Sequence, residues 1–132
     1  MKVSPQGIEF ITYLDKEHSQ LGFYWRLTHI SIYEECVTNA ITVSLKQHQF
    51  DALVSVCLIT RPAEFRRKRL VKYINQGLHP QFIADEFRRI NKSFRREKIN
   101  WGLVWRRKKE MEYYFGKTTG YEDVKKRKRK RR

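Results

Sequence analysis

Apolar residues along this chain recur mostly at intervals of three and four, the spacing of helices with one buried face. Ser4 and Pro5 have the form of a helix start, with serine as N-cap and proline in the first turn. Ile8, Ile11 and Leu14 follow at helical intervals. The pattern therefore predicts a first helix that begins at Pro5.

Residues 23–45 fit two interpretations. The stretches THISIY and ITVSL alternate as half-buried strands do, and they are rich in β-branched side chains. A helical period fits the same segment at Leu27, Ile30, Glu34, Val37 and Ile41. No glycine or proline interrupts residues 23–61, which argues against a hairpin, so we favour a helix.

The rest of the pattern is helical. QHQFDALVSVCLI is apolar on nearly all sides, as in a central helix, and Pro62 ends it by disfavouring helix at Arg61. AEFRRKRLVKYINQ predicts a single helix that stops at Gly77. A further helix starts at Pro80, and the last is expected over residues 94–115 with Gly116 as its stop. We therefore expect a compact all-α bundle of five or six helices.

Charge divides this pattern into two halves. The net charge is +15; residues 1–60 carry four basic and six acidic side chains, whereas residues 61–109 carry sixteen and four. The last eight residues, KKRKRKRR, are all basic. We expect one helical domain over residues 1–116, with a core-forming half (1–60) and a basic half (61–116), followed by a disordered tail (117–132). This asymmetry indicates a polyanionic partner.

Cellular location follows from three absences in the sequence. The longest apolar stretch, ALVSVCLI, is too short for a membrane span, and the N-terminus lacks the layout of a signal peptide. Cys36 and Cys57 show no metal spacing, so we interpret both as buried and reduced. These features predict a cytoplasmic protein, or a nuclear one in a eukaryotic host, with no membrane partner.

The stretch YINQGLHPQFIADEF and the helix after it have the order of a helix-turn-helix pair. Tyr73, Gly77, Ile83 and Ala84 give residues 73–107 a resemblance to the helix-turn-helix domains of sigma-factor region 4 and of phage antiterminator-type regulators. Arg88 and the next arginine stand where such motifs have a compact turn with a small residue. The resemblance implies a DNA-binding protein, such as a small transcription regulator of a phage or mobile element.

The expected nucleic-acid face contains basic residues around the helix pair, the tryptophans of its second helix and the start of the basic tail. Its members are Arg66, Arg67, Lys68, Arg69, Lys72, Arg88, Arg89, Lys92, Arg95, Arg96, Lys98, Trp101, Trp105, Arg106, Arg107, Lys108, Lys109, Lys125, Lys126 and Arg127. DNA is the favoured partner, and residues 1–60 offer a possible protein contact.

Other functions remain open at this point. Trp101 and Trp105 lie four residues apart, so they either pack on the N-terminal half or stack on exposed bases of RNA or single strands. A structural nucleoprotein or a ribosome-associated component would use the basic residues only to neutralise phosphate groups. Asp15, Glu17 and the pair at 34–35 could hold Mg²⁺ for a nuclease, but the histidines are scattered and no phosphate loop exists. We therefore expect no enzyme, no metal and no cofactor.

Overall fold

A computed structural model describes residues 1–17, 28–90 and 101–116, and for residues 15–17 the backbone alone. Within these ranges every regular element is a helix, which confirms the all-α expectation. The elements are α1 (Pro5–Glu17), α2 (Ile30–Ala40), α3 (Gln47–Thr60), α4 (Pro62–Arg67), α5 (Arg69–Asn75), α6 (Pro80–Arg89) and α7 (Trp101–Tyr114).

Helix α3 forms the centre of the fold. Every residue from Phe50 to Leu58 is buried, as its nearly uniform apolar sequence predicts. The helices α1, α2, α4 and α7 all pack against it. Because α3 is enclosed by other helices, it fixes the relative positions of the N-terminal and C-terminal halves of the chain.

The start of α1 is anchored by carboxylates of two other helices. The Ser4 hydroxyl accepts a hydrogen bond from the Gly7 amide at 3.0 Å, which confirms serine as the N-cap. That hydroxyl also donates to Asp51 of α3 at 2.5 Å. The Val3 amide donates to Glu34 of α2 at 2.6 Å. The N-terminus is therefore part of the folded core.

The ambiguous segment 23–45 contains a helix, α2, in its described part. Tyr33, Cys36 and Val37 are buried, so the helical period places one face against α3 and outweighs the strand preference of the β-branched residues. Asn75 of α5 closes its end, because its amide donates to the Ala40 carbonyl at 2.9 Å. Residues 18–27 lie outside the described ranges.

The segment AEFRRKRLVKYINQ forms two helices rather than the predicted one. Lys68 has extended backbone, with φ −70° and ψ 143°, and separates α4 from α5. The described residues therefore contain seven helices instead of five or six. Arg61, the residue before Pro62, has a positive φ of 74°. A proline disfavours helix in the residue that precedes it.

The turn signals of the C-terminal half are confirmed. Gly77 and Gly116 follow helix ends with φ of 64° and 75°, a region that glycine enters without strain. Pro80 lies in the first turn of α6, and Nδ1 of His79 accepts a hydrogen bond from the Gln81 amide at 3.1 Å. The break expected between α6 and α7 falls in residues 91–100, outside the described ranges.

Candidate active site

Helix α7 carries a fully buried cluster of charged side chains, which we call the arginine–glutamate centre. It consists of Arg106, Arg107 and Glu110 of α7 and Ser55 of α3, each at most 1% exposed. Burial of these residues follows from their spacing, since positions 103, 106, 107, 110, 111 and 114 form the inner face of α7. A helix face that carries ions in its middle is unusual for a core and indicates a specific role.

Glu110 contacts all the other members of the arginine–glutamate centre. Its Oε2 accepts hydrogen bonds from the Ser55 hydroxyl and from Arg106 Nε, the latter at 3.3 Å. Its Oε1 lies 2.5 Å from Arg107 Nη1. Arg106 Nη2 in turn donates to Ser55 Oγ at 3.0 Å, which closes a ring of contacts between α3 and α7.

The arginine–glutamate centre holds one more cation than anions. Among the described residues, the three guanidinium nitrogens of Arg107 have no hydrogen-bond acceptor, because the close contact with Glu110 lacks hydrogen-bonding geometry. Burial lowers the pKa of Arg107 to about 10, although Glu110 opposes this shift. Arg107 therefore remains charged at neutral pH.

Aromatic contacts hold α1 against α7 beside this centre. Phe10 stacks on Tyr113 with ring centroids 4.2 Å apart, and Tyr13 contacts Trp105 at 5.9 Å. Leu14 is fully buried. Along α1, the contacts thus progress from the C-terminal part of α7 towards its N-terminal part.

The other described carboxylates mostly have structural partners. Glu34 and Asp51 bind the N-terminal backbone and Ser4. Three further acids pair with arginines one turn away: Glu64 with Arg67 at 3.8 Å, Asp85 with Arg88 at 3.3 Å and the buried Glu86 with Arg89 at 2.7 Å. These carboxylates are thus committed to helix ends and helix surfaces.

No metal site is found in the described part of the chain. No group of three potential metal ligands occurs among those residues, so nothing in them supports the Mg²⁺ hypothesis. A cleft of about 280 Å³ lies beside residues 41–45 and is lined by side chains such as Val37, Ile41 and Phe50, with no carboxylate. None of the described helices is long and apolar enough to span a bilayer.

The residues of the expected nucleic-acid face do not form one surface. The exposed members are Arg66, Arg67, Arg69, Lys72, Arg88, Arg89, Trp101 and Lys108, and the half-buried ones are Lys68, Trp105 and Lys109. Arg106 and Arg107 lie in the core. Lys92, Arg95, Arg96, Lys98, Lys125, Lys126 and Arg127 lie outside the described ranges.

The two tryptophans have different surroundings. Trp105 packs against α1 through Tyr13, and Lys109 Nζ lies 6.0 Å from the centre of its ring system. Trp101 is 75% exposed. The expectation that they pack on the N-terminal half thus describes Trp105 but not Trp101.

Comparison with known proteins identifies the class to which this fold and its buried charges belong. The profile of the phage lysozyme family matches residues 14–110, nearly three quarters of the chain, so the chain belongs to that family. The match runs from the last turn of α1 to Glu110 of the arginine–glutamate centre.

Particular relatives agree with this assignment. The endolysin of Bacillus phage PZA is 40% identical over 81 residues, which make up 61% of this chain but 30% of that protein. The chain thus spans less than a third of the length of this relative. The structure of the endolysin from Escherichia coli O157:H7 phage FAHEc1 has a similar fold, with a TM-score of 0.73 and 20% identity. The similarity covers 86% of this chain and 93% of that one.

The family assignment corrects the main functional expectations. The helix-turn-helix resemblance, the DNA-binding regulator, the RNA-binding and nucleoprotein alternatives, the nuclease alternative and the nucleic-acid partner are all wrong. The expectation of no enzyme is also wrong, because the family is one of lysozymes. The error has a physical cause. Net charge indicates a polyanionic partner but does not identify which polyanion is bound. Helical spacing indicates a pair of helices but does not identify the fold to which they belong.

The arginine–glutamate centre was not among the predicted sites. Arg106 and Arg107 were expected on an outer face, and no role was predicted for Glu110. A signal was present, since the glutamate lies three and four residues after the arginines and Leu103 and Met111 continue the same face. Such spacing also occurs on solvent-exposed helices, so the packing of α7 on α3 was needed to show that these ions are buried.

Proposed function

We propose that this chain belongs to an enzyme that hydrolyses glycosidic bonds in bacterial peptidoglycan. The proposal is carried by the match of the phage lysozyme family to residues 14–110. It is supported by the relative from Bacillus phage PZA, which bears the name endolysin. Hydrolysis of this kind needs a carboxylic acid that protonates the leaving oxygen and, in most glycosidases, a second carboxylate that stabilises or attacks the sugar.

The acid is best sought at the end of α1. Most of the described carboxylates anchor helices, belong to the arginine–glutamate centre or pair with surface arginines. Asp15 and Glu17 occupy the last turn of α1, inside the family match. The last turn follows Leu14, which is fully buried, and Tyr13, which contacts Trp105. A general acid has to carry its proton when the glycosidic bond breaks.

The arginine–glutamate centre has a supporting role in this proposal. It joins α7 to α3, while the aromatic contacts of Phe10 and Tyr13 hold α1 on α7. These two sets of contacts therefore help to position the end of α1, together with its packing against α3. Glu110 itself is fully buried and lies in contact with Ser55 and two arginines, so we do not propose it as the acid.

The test is an assay of the purified chain on bacterial peptidoglycan, with release of new reducing ends as the readout. We expect Asp15→Asn or Glu17→Gln to lower the rate by about 10²–10⁴-fold, the usual contribution of a general acid. Glu35→Gln is the matched control, because Glu35 is exposed on α2. It should retain the activity of the unmodified chain.

Three results would decide against this proposal. If the unmodified chain releases no reducing ends, the chain by itself is not a glycosidase. If it releases free amino groups instead, the bond that it cleaves is an amide. If both carboxamide variants keep full activity while folded, the acid lies elsewhere in the chain.

A further inference from the structure

A basic surface remains that glycoside hydrolysis does not use. The α4–α5 basic surface consists of five cations within seven residues, namely Arg66, Arg67, Lys68, Arg69 and Lys72. Four of them are exposed, and Lys68 is half-buried. They lie at the junction where Lys68 separates the two helices. Both helices therefore present cations to solvent at one place.

The backbone that carries this surface is firmly packed. Phe65 and Leu70 are fully buried, and Val71 and Ile74 are at most 6% exposed. The two helices pack on each other, and between them they pack against α2, α3 and α6. The cations thus project from a fixed scaffold, so less conformational entropy is lost when they bind than in a disordered basic segment.

Few anions compensate this charge among the described residues nearby. Glu64 is the single acidic residue between positions 61 and 84, and it pairs with Arg67 at 3.8 Å. On the neighbouring α6, Asp85 and Glu86 are paired with arginines of their own helix. The surface therefore retains a strong positive potential that favours a polyanion over a single small ion.

We propose that the α4–α5 basic surface binds a phosphodiester polymer attached to the bacterial cell wall and so holds the enzyme on its substrate. This inference rests on the proposed function, because that function places the protein at the wall. Arginine supplies three of the five cations, and its planar guanidinium forms paired hydrogen bonds with phosphate oxygens.

A lipid surface fits the same patch less well. Proteins that lie on membranes insert large apolar side chains next to their cations. The exposed large apolar residues of the described chain are Met1, Ile32, Val43, Phe82 and Trp101, none of which belongs to α4 or α5. A charged polymer that needs no apolar insertion is therefore the better match.

The binding experiment uses sedimentation of the full 132-residue chain with purified Gram-positive cell walls over a range of salt concentrations. Walls are used intact and after hydrofluoric acid has removed their phosphodiester polymers. The test variant replaces Arg66, Arg69 and Lys72 by glutamine. The control variant replaces three exposed cations elsewhere, Lys2, Arg88 and Lys108, so that both variants lose the same charge.

We expect the test variant to bind intact walls at least about 10-fold more weakly at low salt. Its slope of log affinity against log salt should be shallower by about three, one for each lost phosphate contact. The control variant should bind nearly as tightly as the unmodified chain, and stripped walls should bind all three proteins weakly and alike. An Arg66→Lys, Arg69→Lys variant should retain most of the binding.

Other outcomes overturn the inference. Equal loss in the test and control variants would show that total charge, rather than this surface, determines binding. Unchanged binding to stripped walls would exclude the polymer, and a test-variant defect seen only on anionic lipid vesicles would assign the surface to membranes. Hydrolysis of soluble glycan fragments without phosphate should be equal in the test variant and the unmodified chain. Failure of the proposed glycosidase would instead abolish hydrolysis in both proteins.

Discussion

Replacement of Glu110 by glutamine tests how the buried charges of α7 are stabilised. The side chain keeps its size, and Ser55 keeps a possible acceptor, but the negative charge between Arg106 and Arg107 is removed. Two guanidinium groups would then be buried together at 1% exposure or less, and both would have lost their ion pair with Glu110. The folded state should therefore be strongly destabilised relative to the unfolded one.

The expected magnitude follows from the burial of the three ions. Removing one partner of a buried ion pair lowers the free energy of unfolding by about 3–5 kcal/mol, since the remaining charge loses its compensation. For a domain of this size, that corresponds to a fall in Tm of roughly 12 °C or more. Arg107→Met should act in the opposite sense or be nearly neutral. It removes the second guanidinium beside Glu110, whose three nitrogens have no hydrogen-bond acceptor in the described part of the chain.

The assay is urea unfolding of the unmodified chain, the two single variants and the double variant, followed by far-ultraviolet circular dichroism. In the double variant, the loss caused by Glu110→Gln should be partly relieved, because one uncompensated arginine is gone. The coupling between the two substitutions should amount to at least about 1 kcal/mol, as found for contacting residues. An unchanged m-value would show that the unfolded state is unaffected.

Two results would refute this reasoning. A loss of less than about 1 kcal/mol in Glu110→Gln would be the value of an exposed ion pair and not of a buried one. A loss of about 3 kcal/mol or more in Arg107→Met would show that its guanidinium has a strong acceptor outside the described residues.

Two further predictions concern glycines and a buried thiol. At Gly7 an added methyl would lie 2.5 Å from the Asp51 carboxyl, so Gly7→Ala should lower the unfolding free energy by about 1–3 kcal/mol despite alanine's higher helix propensity. Gly77→Ala meets no atom within 4 Å and suffers only from its φ of 64°, so it should lose about 1 kcal/mol; equal or reversed losses in urea unfolding would contradict this order. Burial raises the pKa of the Cys57 thiol far above its ordinary 9.0. Above pH 9 the unfolded thiol therefore loses its proton while the folded one keeps it, and stability falls by up to about 1.4 kcal/mol per pH unit. Unfolding measured between pH 8 and pH 10.5 should show a shallower decline for Cys57→Ala, and an unchanged slope would contradict the assignment.

Local signals in the sequence predicted several helix ends correctly. Ser4 and Pro5 start α1, Pro62 ends α3, and Gly77 and Gly116 follow helix ends with positive φ. Each of these signals is a property of one or two residues and their own backbone, so the helix end can be predicted without knowledge of the tertiary contacts. The uniform burial of α3 was also predictable, because a helix that is apolar on all sides has to be enclosed.

Contacts between distant segments determined what local patterns left open. The helical state of α2 depends on its packing against α3, and its end is closed by Asn75 from a helix 35 residues further along the chain. The split between α4 and α5 follows from the placement of Phe65 and Leu70 in the core rather than from a breaker residue. Neither effect is encoded in the residues of the segment itself.

The candidate site shows most clearly which features the sequence determined and which depended on the tertiary structure. The sequence by itself determined an all-α chain with a strongly basic second half and buried, reduced cysteines. Only the tertiary structure decided that Arg106 and Arg107 face the core with Glu110, while Arg66, Arg69 and Lys72 face solvent. All of these cations look alike in the sequence. Which of them are buried depends on the elements that pack over each helix face, and that is a property of the whole fold.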